Sequence, residues 1–169
     1  MNEVNKIILG IDPGTARMGW GIIEFDGNNY TALGYGTLET SPQTDEHLRL
    51  GELYEKLNLL TKKYNPQIIA VEDIFYFKNQ KTLINVSQAR GIVLLLAANT
   101  HKKYYSFTPL QIKMAVTGYG KAEKKQVQHM VKILLNLKKE PKLDDSADAL
   151  AVAICCANSI SILDIQKNS

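Results

Sequence analysis

The sequence predicts an α/β fold in which a mixed β-sheet of about five strands is covered by helices on both faces. Short apolar runs of strand length alternate with longer segments whose apolar residues recur at helical spacing. The first three predicted strands follow one another without a helix between them, whereas a helix precedes each later strand. A meander followed by alternating helices and strands is typical of a mixed sheet with two covered faces.

The N-terminal segments are predicted to form the meander and the first helix. Residues 6–11 form an apolar run that fits a buried strand. Residues 18–25 and 30–39 are predicted to be two more strands, because an Asp-Gly-Asn-Asn turn separates them. Residues 44–64 carry leucines at helical spacing, and this helix is expected to end before Pro66.

The remaining segments alternate between strand and helix. Two more strands are predicted at residues 67–72 and 104–107, on either side of a long helix at 80–99. Thr108 followed by Pro109 fits an N-cap with proline at the first helical position. The predicted helices of the C-terminal part are one from about residue 108 to Gly118-Tyr119-Gly120, one at 122–136 and a last one at 145–158.

Length and composition fit one globular domain. A chain of 169 residues, 45% hydrophobic and 22% charged, can bury a sizeable core. We therefore expect a single domain over residues 1–158 and a frayed tail over residues 159–169. The net charge of +3 gives only weak support for nucleic-acid binding. The adjacent Cys155 and Cys156 lie in an apolar helical stretch, and we expect two buried, reduced thiols because vicinal cysteines bridge only with strain.

The N-terminal segment carries no pattern of a secretory signal. Its first residues are polar, and the apolar run that follows is short and ends in Asp12. No apolar stretch reaches the ~20 residues that a membrane-spanning helix needs. We therefore expect a cytoplasmic protein that does not contact a membrane.

Acidic residues occupy positions that suit metal binding. Asp12 and Glu72 each directly follow a predicted buried strand, and Asp145 and Asp148 open a helix rich in small residues. An acid in such a place costs free energy unless something pairs with it, so the set suggests one shared partner. Hard oxygen ligands select Mg²⁺ or Mn²⁺. The pattern predicts a two-metal site that cleaves phosphodiester bonds.

Each acid also has an ordinary structural explanation. Asp12 opens an Asp-Pro-Gly turn, which is common, and aspartates are good residues for a helix start. The helix-start explanation does not extend readily to Asp148, which lies further inside the helix. Because residues three or four apart share a helical face, Asp148 can act with either Asp145 or Asp144.

Five motifs between residues 6 and 157 follow one another in a characteristic order. They are Ile11-Asp12-Pro13-Gly14-Thr15, Glu72 before Asp73-Ile74-Phe75, Gln88-Ala89-Arg90-Gly91, the segment 122–131 and the segment 145–151. Their sequences and spacing resemble the RuvC family of bacterial Holliday-junction resolvases. The first motif alone has little specificity, since actin-like ATPases and sugar kinases also begin with an Asp-x-Gly-Thr loop. The last two motifs are much more specific.

The resemblance implies a ribonuclease-H-like fold that works as a homodimer. Such a dimer would make paired, symmetric nicks in a four-way DNA junction during homologous recombination and DNA repair, in cooperation with the RuvA–RuvB branch-migration machinery. By the resemblance, Glu72 would serve one Mg²⁺ ion and Asp145 with Asp148 the other, with Mn²⁺ able to substitute. Asp12 is our choice for the bridging ligand because it is central and lies on the most rigid element. We favour Asp145 over its neighbour because its spacing to Asp148 matches the family motif.

Basic and aromatic residues near these acids are candidates for DNA contacts. Lys124 resembles a family lysine near the scissile phosphate, where it would stabilise developing negative charge. The other candidate lysines are Lys78, Lys113, Lys121 and Lys125. Contacts to phosphates would give an affinity that weakens with salt, and a solvated helix face is the alternative for these lysines. Phe75 best matches the family's stacking aromatic, with core packing as its alternative.

The predicted helix at residues 80–99 bears on the assembly of the protein. Its apolar residues cannot all fit one stripe, so either a second subunit or the interior of the same chain must cover them.

Another ribonuclease-H-like nuclease with a different substrate is the most serious rival to junction resolution. An actin-like ATPase or sugar kinase would need a second related domain, and no Gly-Lys-Ser/Thr phosphate loop is present. A junction-binding protein without catalysis would not need four acids.

Overall fold

The described part of the chain folds into ten regular elements of an α/β domain. The computed structural model describes residues 5–73, 80–139, 141 and 144–167, and the side chains of the last helix up to residue 160. The elements are β1 (Lys6–Asp12), β2 (Arg17–Phe25), β3 (Tyr30–Glu39), α1 (Glu46–Tyr64), β4 (Ile68–Glu72), α2 (Gln80–Asn99), β5 (Lys103–Phe107), α3 (Pro109–Thr117), α4 (Lys124–Leu134) and α5 (Asp144–Lys167). Among these described residues, no helix is long and apolar enough to cross a membrane.

The five strands form one mixed sheet in the order β3-β2-β1-β4-β5. β1, β2 and β3 pair antiparallel, as a meander requires, whereas β4 pairs parallel with β1 and β5 pairs parallel with β4. The parallel pairs follow from the helices that connect these strands, because a parallel neighbour needs a crossover connection. The predicted mixed sheet of about five strands is confirmed.

Helices cover both faces of the sheet, as predicted. Successive residues of a strand point to opposite faces. Ile8 accordingly belongs to the core shared with α3, α4 and α5, whereas Leu9 belongs to the core shared with α1 and α2. Both side chains are fully buried. The two cores enclose the central strands β1 and β4, so side chains of these strands reach solvent at the strand ends.

The first and second strands offer α5 a surface without side chains. A Cβ atom placed on Gly10 would lie 2.2 Å from the carbonyl oxygen of Ala149, and one placed on Gly19 would lie 2.0 Å from that of Asp145. The alanines at 149, 151 and 153 are fully buried. Small residues on both sides therefore let the helix backbone lie directly on the sheet.

Several helix boundaries differ from the prediction, among them the start of α4 and the end of α5. α4 begins at Lys124, because Glu123 is its N-cap and forms a capping box with Gln126. α5 continues to Lys167 beyond the predicted end at residue 158, since no glycine or proline follows to end it. The domain boundary drawn at that point stays a prediction.

The two cysteines lie within α5. Cys155 and Cys156 are both buried and not disulfide-bonded, as predicted. Burial raises the pKa of the Cys155 thiol to about 12. The thiol therefore stays protonated at neutral pH, and the protonated thiol is a poor nucleophile.

Gly10→Ala tests the direct contact between sheet and helix. The added methyl group would overlap backbone atoms of α5, which cannot rotate away. We expect the free energy of unfolding to fall by about 1–3 kcal/mol or more. The control is Gly51→Ala, since no atom lies within 4 Å of a Cβ at this exposed position in α1. Denaturant unfolding should show the control unchanged or stabilised by about 0.5–1 kcal/mol, and an equally stable Gly10→Ala variant would contradict the close packing.

Candidate active site

Asp12 and Glu72 meet at the carboxyl ends of two neighbouring parallel strands. They are the last residues of β1 and β4, and the last register pair of these strands is Ile11 with Val71. One residue further along both strands brings the two acids side by side. Both point to the face that α5 covers, because they alternate with residues of the opposite core. The two carboxyl groups lie close enough for each to act on the pKa of the other.

The first turns of α5 bring two more acids to the same place. Gly19 pairs with Asp12 across β1 and β2, and the backbone of Asp145 occupies the space that a side chain at Gly19 would fill. Asp148 lies about one turn further along the helix, with its side chain 25% exposed. The charges of Asp145 and Asp148 both reach the Asp12 carboxyl and raise its pKa. Acids from the N-terminal and C-terminal parts of the sequence thus lie in one cluster.

The two neighbouring aspartates at the start of α5 face different surroundings. The Asp144 side chain is 64% exposed and accepts a hydrogen bond of 2.8 Å from the side-chain amide of Gln128. The Asp145 side chain is 30% exposed and lies 3.5 Å from the Arg17 guanidinium. Asp145 therefore lies closer to the clustered acids than Asp144 does, and its role as a metal ligand stays a prediction.

Burial and mutual repulsion disfavour full ionisation of the cluster. Burial, followed by the charges of Glu72, Asp148 and Asp145, raises the pKa of Asp12 to about 8. Burial is also the largest cause of the raised pKa values of Glu72 and Asp148. A nearby cation would favour the ionised forms of all of these groups.

A cleft beside the cluster is lined by two lysines. The Lys124 ammonium lies 2.8 Å from an Asp148 oxygen and 3.6 Å from an Asp144 oxygen. Burial alone would lower the pKa of Lys124, but the hydrogen bond and charge of Asp148 outweigh burial and raise it. Lys113 lines the same cleft, of about 230 Å³, and its charge acts on Glu72. A phosphate in this cleft would meet positive charge next to the acids.

The other predicted DNA-contacting residues lie elsewhere. Lys121 and Lys125 are exposed, and Lys125 lines a separate groove with Tyr119 and His129. His129 faces that groove, which contains none of the clustered acids. The remaining two candidates, Phe75 and Lys78, lie outside the described residues.

Arg17 is a member of the site that the sequence did not reveal. It begins β2, and its guanidinium contacts both Asp145 and Glu39. The sequence offered only its position as a signal: Arg17 is a basic residue five places after Asp12, directly before the strand predicted at residues 18–25. Only the strand register and the placement of α5 turn that position into a contact.

The donor set suits a hard divalent cation, although it is not a finished ligand shell. Within the described ranges, no three His, Cys, Asp or Glu side chains are grouped closely enough to hold a metal ion as they stand. Like-charged carboxylates repel each other at short range, and Lys124 pairs with one of them. The shared electrostatics of the acids nevertheless argue for a common cationic partner, and carboxylate oxygens are the ligands that Mg²⁺ and Mn²⁺ prefer.

Comparison with known proteins identifies the family. The sequence profile described as "Crossover junction endodeoxyribonuclease RuvC" matches residues 8–156. The chain belongs to this family. Proteins of this description from Caldanaerobacter subterraneus subsp. tengcongensis and Desulforamulus reducens are 50% and 56% identical to the chain. The first alignment covers 93% of this chain and 95% of the relative, and the second covers 89% and 93%.

A solved structure supports the same assignment. RuvC from Thermus thermophilus, in a complex with a Holliday junction substrate, superposes with a TM-score of 0.89 at 31% identity, covering 93% of this chain and 96% of that one. The ribonuclease-H-like fold and the resemblance noted from the sequence are therefore confirmed. The protein is an endodeoxyribonuclease of the crossover-junction class, and nucleases of this family are metal-dependent.

The raised pKa of Asp12 predicts how the stability of the protein depends on pH. The folded protein holds this proton more tightly than the unfolded chain, whose carboxyl has the ordinary pKa of 3.8. In EDTA, the free energy of unfolding should therefore fall as the pH rises from 3.8 to about 8. Asp12→Asn removes this loss, so the variant should gain on the order of 4 kcal/mol over wild type as the pH rises from about 5 to about 8.5.

Asp26→Asn is the matched control for that experiment. Backbone hydrogen bonds from Asn29 and Asn28 lower the pKa of the Asp26 carboxyl, so its ionised form stabilises the fold above its ordinary pKa. Substitution there should lower stability at neutral pH and give no gain at higher pH. Denaturant titrations across pH measure both variants, and an Asp12→Asn variant with the pH dependence of wild type would contradict the electrostatic picture.

Proposed function

We propose that the acid cluster binds two Mg²⁺ ions and hydrolyses phosphodiester bonds at the centre of a four-way DNA junction. Paired, symmetric nicks by two subunits would then resolve the junction during recombination and repair. The observation that carries this proposal is the convergence of Asp12, Glu72, Asp145 and Asp148 at one end of the sheet, beside a lysine-lined cleft. The junction complex of the Thermus thermophilus relative supports the choice of substrate.

The carboxylates divide naturally between two ions. Asp12 is central to the electrostatic cluster, and we propose that it bridges both ions. Glu72 would serve one ion, and Asp145 with Asp148 would serve the other. Two bound divalent ions supply an activated water and neutralise the leaving oxygen. Mn²⁺ has the same preference for oxygen ligands and should substitute for Mg²⁺.

The chain's own cations act on the phosphate and the DNA backbone. Lys124 stands at the cleft wall beside Asp148, where its ammonium would stabilise negative charge that develops on the scissile phosphate. Lys113 lines the same cleft and would contact the phosphate backbone there. We propose further backbone contacts by Lys121 and Lys125, whose side chains are exposed. Phe75 and Lys78, outside the described residues, stay candidates for base stacking and phosphate contact.

A homodimer through α2 is proposed from the apolar residues that this helix leaves exposed. Ala89, Val93 and Leu96 are buried against the sheet, whereas Ile84 and Leu95 on another face are 56% and 53% exposed. Gly91 lies on that outer face with no atom within 4 Å of a Cβ position, so a second helix could approach closely. An isologous contact of this kind would present two sites to two equivalent strands. Cooperation with RuvA and RuvB and a cytoplasmic location remain predictions.

Asp12→Asn should abolish junction cleavage while leaving junction binding nearly intact. Loss of a ligand charge disrupts metal placement, whereas affinity comes mainly from lysine–phosphate contacts. We expect a loss of cleavage of more than about 100-fold, which exceeds the typical effect of residues that only support a ligand. Cleavage of a synthetic four-way junction with Mg²⁺, and gel-shift binding without metal, measure the two effects.

Controls separate the ligands from their neighbour and the junction from other substrates. Asp145→Asn and Asp148→Asn should behave like Asp12→Asn, whereas Asp144→Asn should lose less than about tenfold because its side chain faces Gln128. Equal losses at positions 144 and 145 would mean that the wrong neighbour was chosen. Linear duplex and RNA–DNA hybrid are the comparison substrates for wild type, and faster cleavage of either would contradict junction resolution.

Leu95→Glu should convert a dimer into monomers without unfolding the protein. Its side chain is 53% exposed in the single chain but would be buried at the proposed contact, where an unpaired charge is costly. Leu59→Glu is the control, because Leu59 is 63% exposed on α1. Sedimentation at micromolar concentration should show a dimer for wild type and for the control, and a monomeric wild type would refute the interface.

A further inference from the structure

The Arg17 guanidinium connects the edge of the sheet to the first turn of α5. Its Nε atom lies 3.2 Å from a Glu39 oxygen, and its Nη1 atom lies 3.5 Å from an Asp145 oxygen. Arg17 and Glu39 are register partners at the ends of β2 and β3. One side chain thus holds a carboxylate of the sheet and a carboxylate of the acid cluster at the same time.

The sheet end of this connection is firmly attached to the rest of the protein. The Lys56 ammonium donates a 2.8 Å hydrogen bond to the carbonyl oxygen of Glu39, and the Arg49 guanidinium donates one of 2.9 Å to the Thr40 hydroxyl. The same hydroxyl donates to the carbonyl oxygen of Thr15, in the turn that follows β1, at 2.7 Å. Thr40 and Thr15 are both buried. The main chain of Glu39 is therefore held in place, and its carboxylate offers Arg17 a partner at a defined position on the sheet edge.

The contribution of this connection to stability should be small. The side chains of Arg17, Glu39 and Asp145 are 48%, 58% and 30% exposed, and ion pairs of such exposure contribute little to folding. A planar guanidinium with donors on two sides is instead suited to fixing the direction of a carboxylate. Asp145 lies in the first turn of α5, and its carboxylate contacts the Arg17 guanidinium.

We infer that Arg17 is a positioning residue that directs the Asp145 carboxylate toward Asp12 and thereby sets the metal affinity of the site. This inference rests on the proposed function, in which Asp145 is a metal ligand. Residues that orient metal ligands typically contribute a factor of about 10–100 to metal affinity. Arg17 has no direct role in the reaction itself.

Arg17→Gln in the full-length chain tests the inference without relying on catalysis. Mn²⁺ binding measured by calorimetry in the absence of DNA should weaken by about tenfold or more. Junction affinity measured in EDTA should stay within about twofold of wild type, with an unchanged salt dependence. The melting temperature in EDTA should also be unchanged, because the pairs are exposed. Lys62→Gln, an exposed charge removal at the end of α1, is the control and should not alter Mn²⁺ binding.

Two further variants test the connection that Arg17 makes between Glu39 and Asp145. Arg17→Lys keeps the charge but has one ammonium, which cannot hold both carboxylates, so its Mn²⁺ affinity should stay low. Glu39→Gln releases the fixed end and should weaken Mn²⁺ binding in the same direction. Wild-type Mn²⁺ affinity in Arg17→Lys or in Glu39→Gln would overturn the inference that Arg17 acts by connecting the two carboxylates.

Other outcomes are equally decisive. Unchanged or tighter Mn²⁺ binding in Arg17→Gln would overturn the inference, the latter by showing that Arg17 competes with the metal. Weaker junction binding in EDTA, with a salt slope reduced by about one, would show a phosphate contact instead. Asp145→Asn separates this inference from the proposed function: if that variant binds Mn²⁺ like wild type, the proposed metal site itself fails. If it binds weakly and Arg17→Gln binds normally, only the role of Arg17 fails.

Discussion

The direct contact between α5 and the first two strands is the constraint on which the site depends. Gly10, Gly19 and Gly21 give the sheet a surface without side chains, and α5 lies on it with backbone atoms where Cβ atoms would otherwise stand. A larger separation would move Asp145 and Asp148 away from the strand ends together. The position of α5 is set by contact between atoms, and the repulsion between atoms rises steeply when they overlap. The acids are therefore positioned more precisely than hydrogen bonds alone would position them.

The site is held in a state that the fold alone does not favour. Burial and mutual repulsion raise the pKa of Asp12, and the Lys124 ammonium pairs with Asp148. Such a cluster lowers stability at the pH at which its groups ionise, in exchange for affinity toward a dication. The extensive apolar core on both faces of the sheet tolerates this cost. In the proposed metal site, fold stability and metal affinity would therefore be linked through the same carboxylates.

Much of this arrangement was predictable because it depends on local patterns. Apolar runs that end in an acid place Asp12 and Glu72 at strand ends, and parallel neighbours bring such ends to one edge. The choice between Asp144 and Asp145 depends on the rotational phase of a helix, which spacing alone left open. Arg17 depends on the register of two antiparallel strands and on where a distant helix lands. Contacts of that kind are set by tertiary packing, so sequence periodicity contains no signal for them.

The order of the elements along the chain links the site to completed folding. β1 is the first element and supplies Asp12, whereas α5 is the last and supplies two of the four acids. The cluster therefore forms only after the chain ends have met, across a separation that makes the contact slow to form. A partly folded chain has its acids dispersed and in water, where they do not repel one another strongly. If the cluster binds the metal ions, as proposed, metal affinity and DNA cleavage require the complete fold.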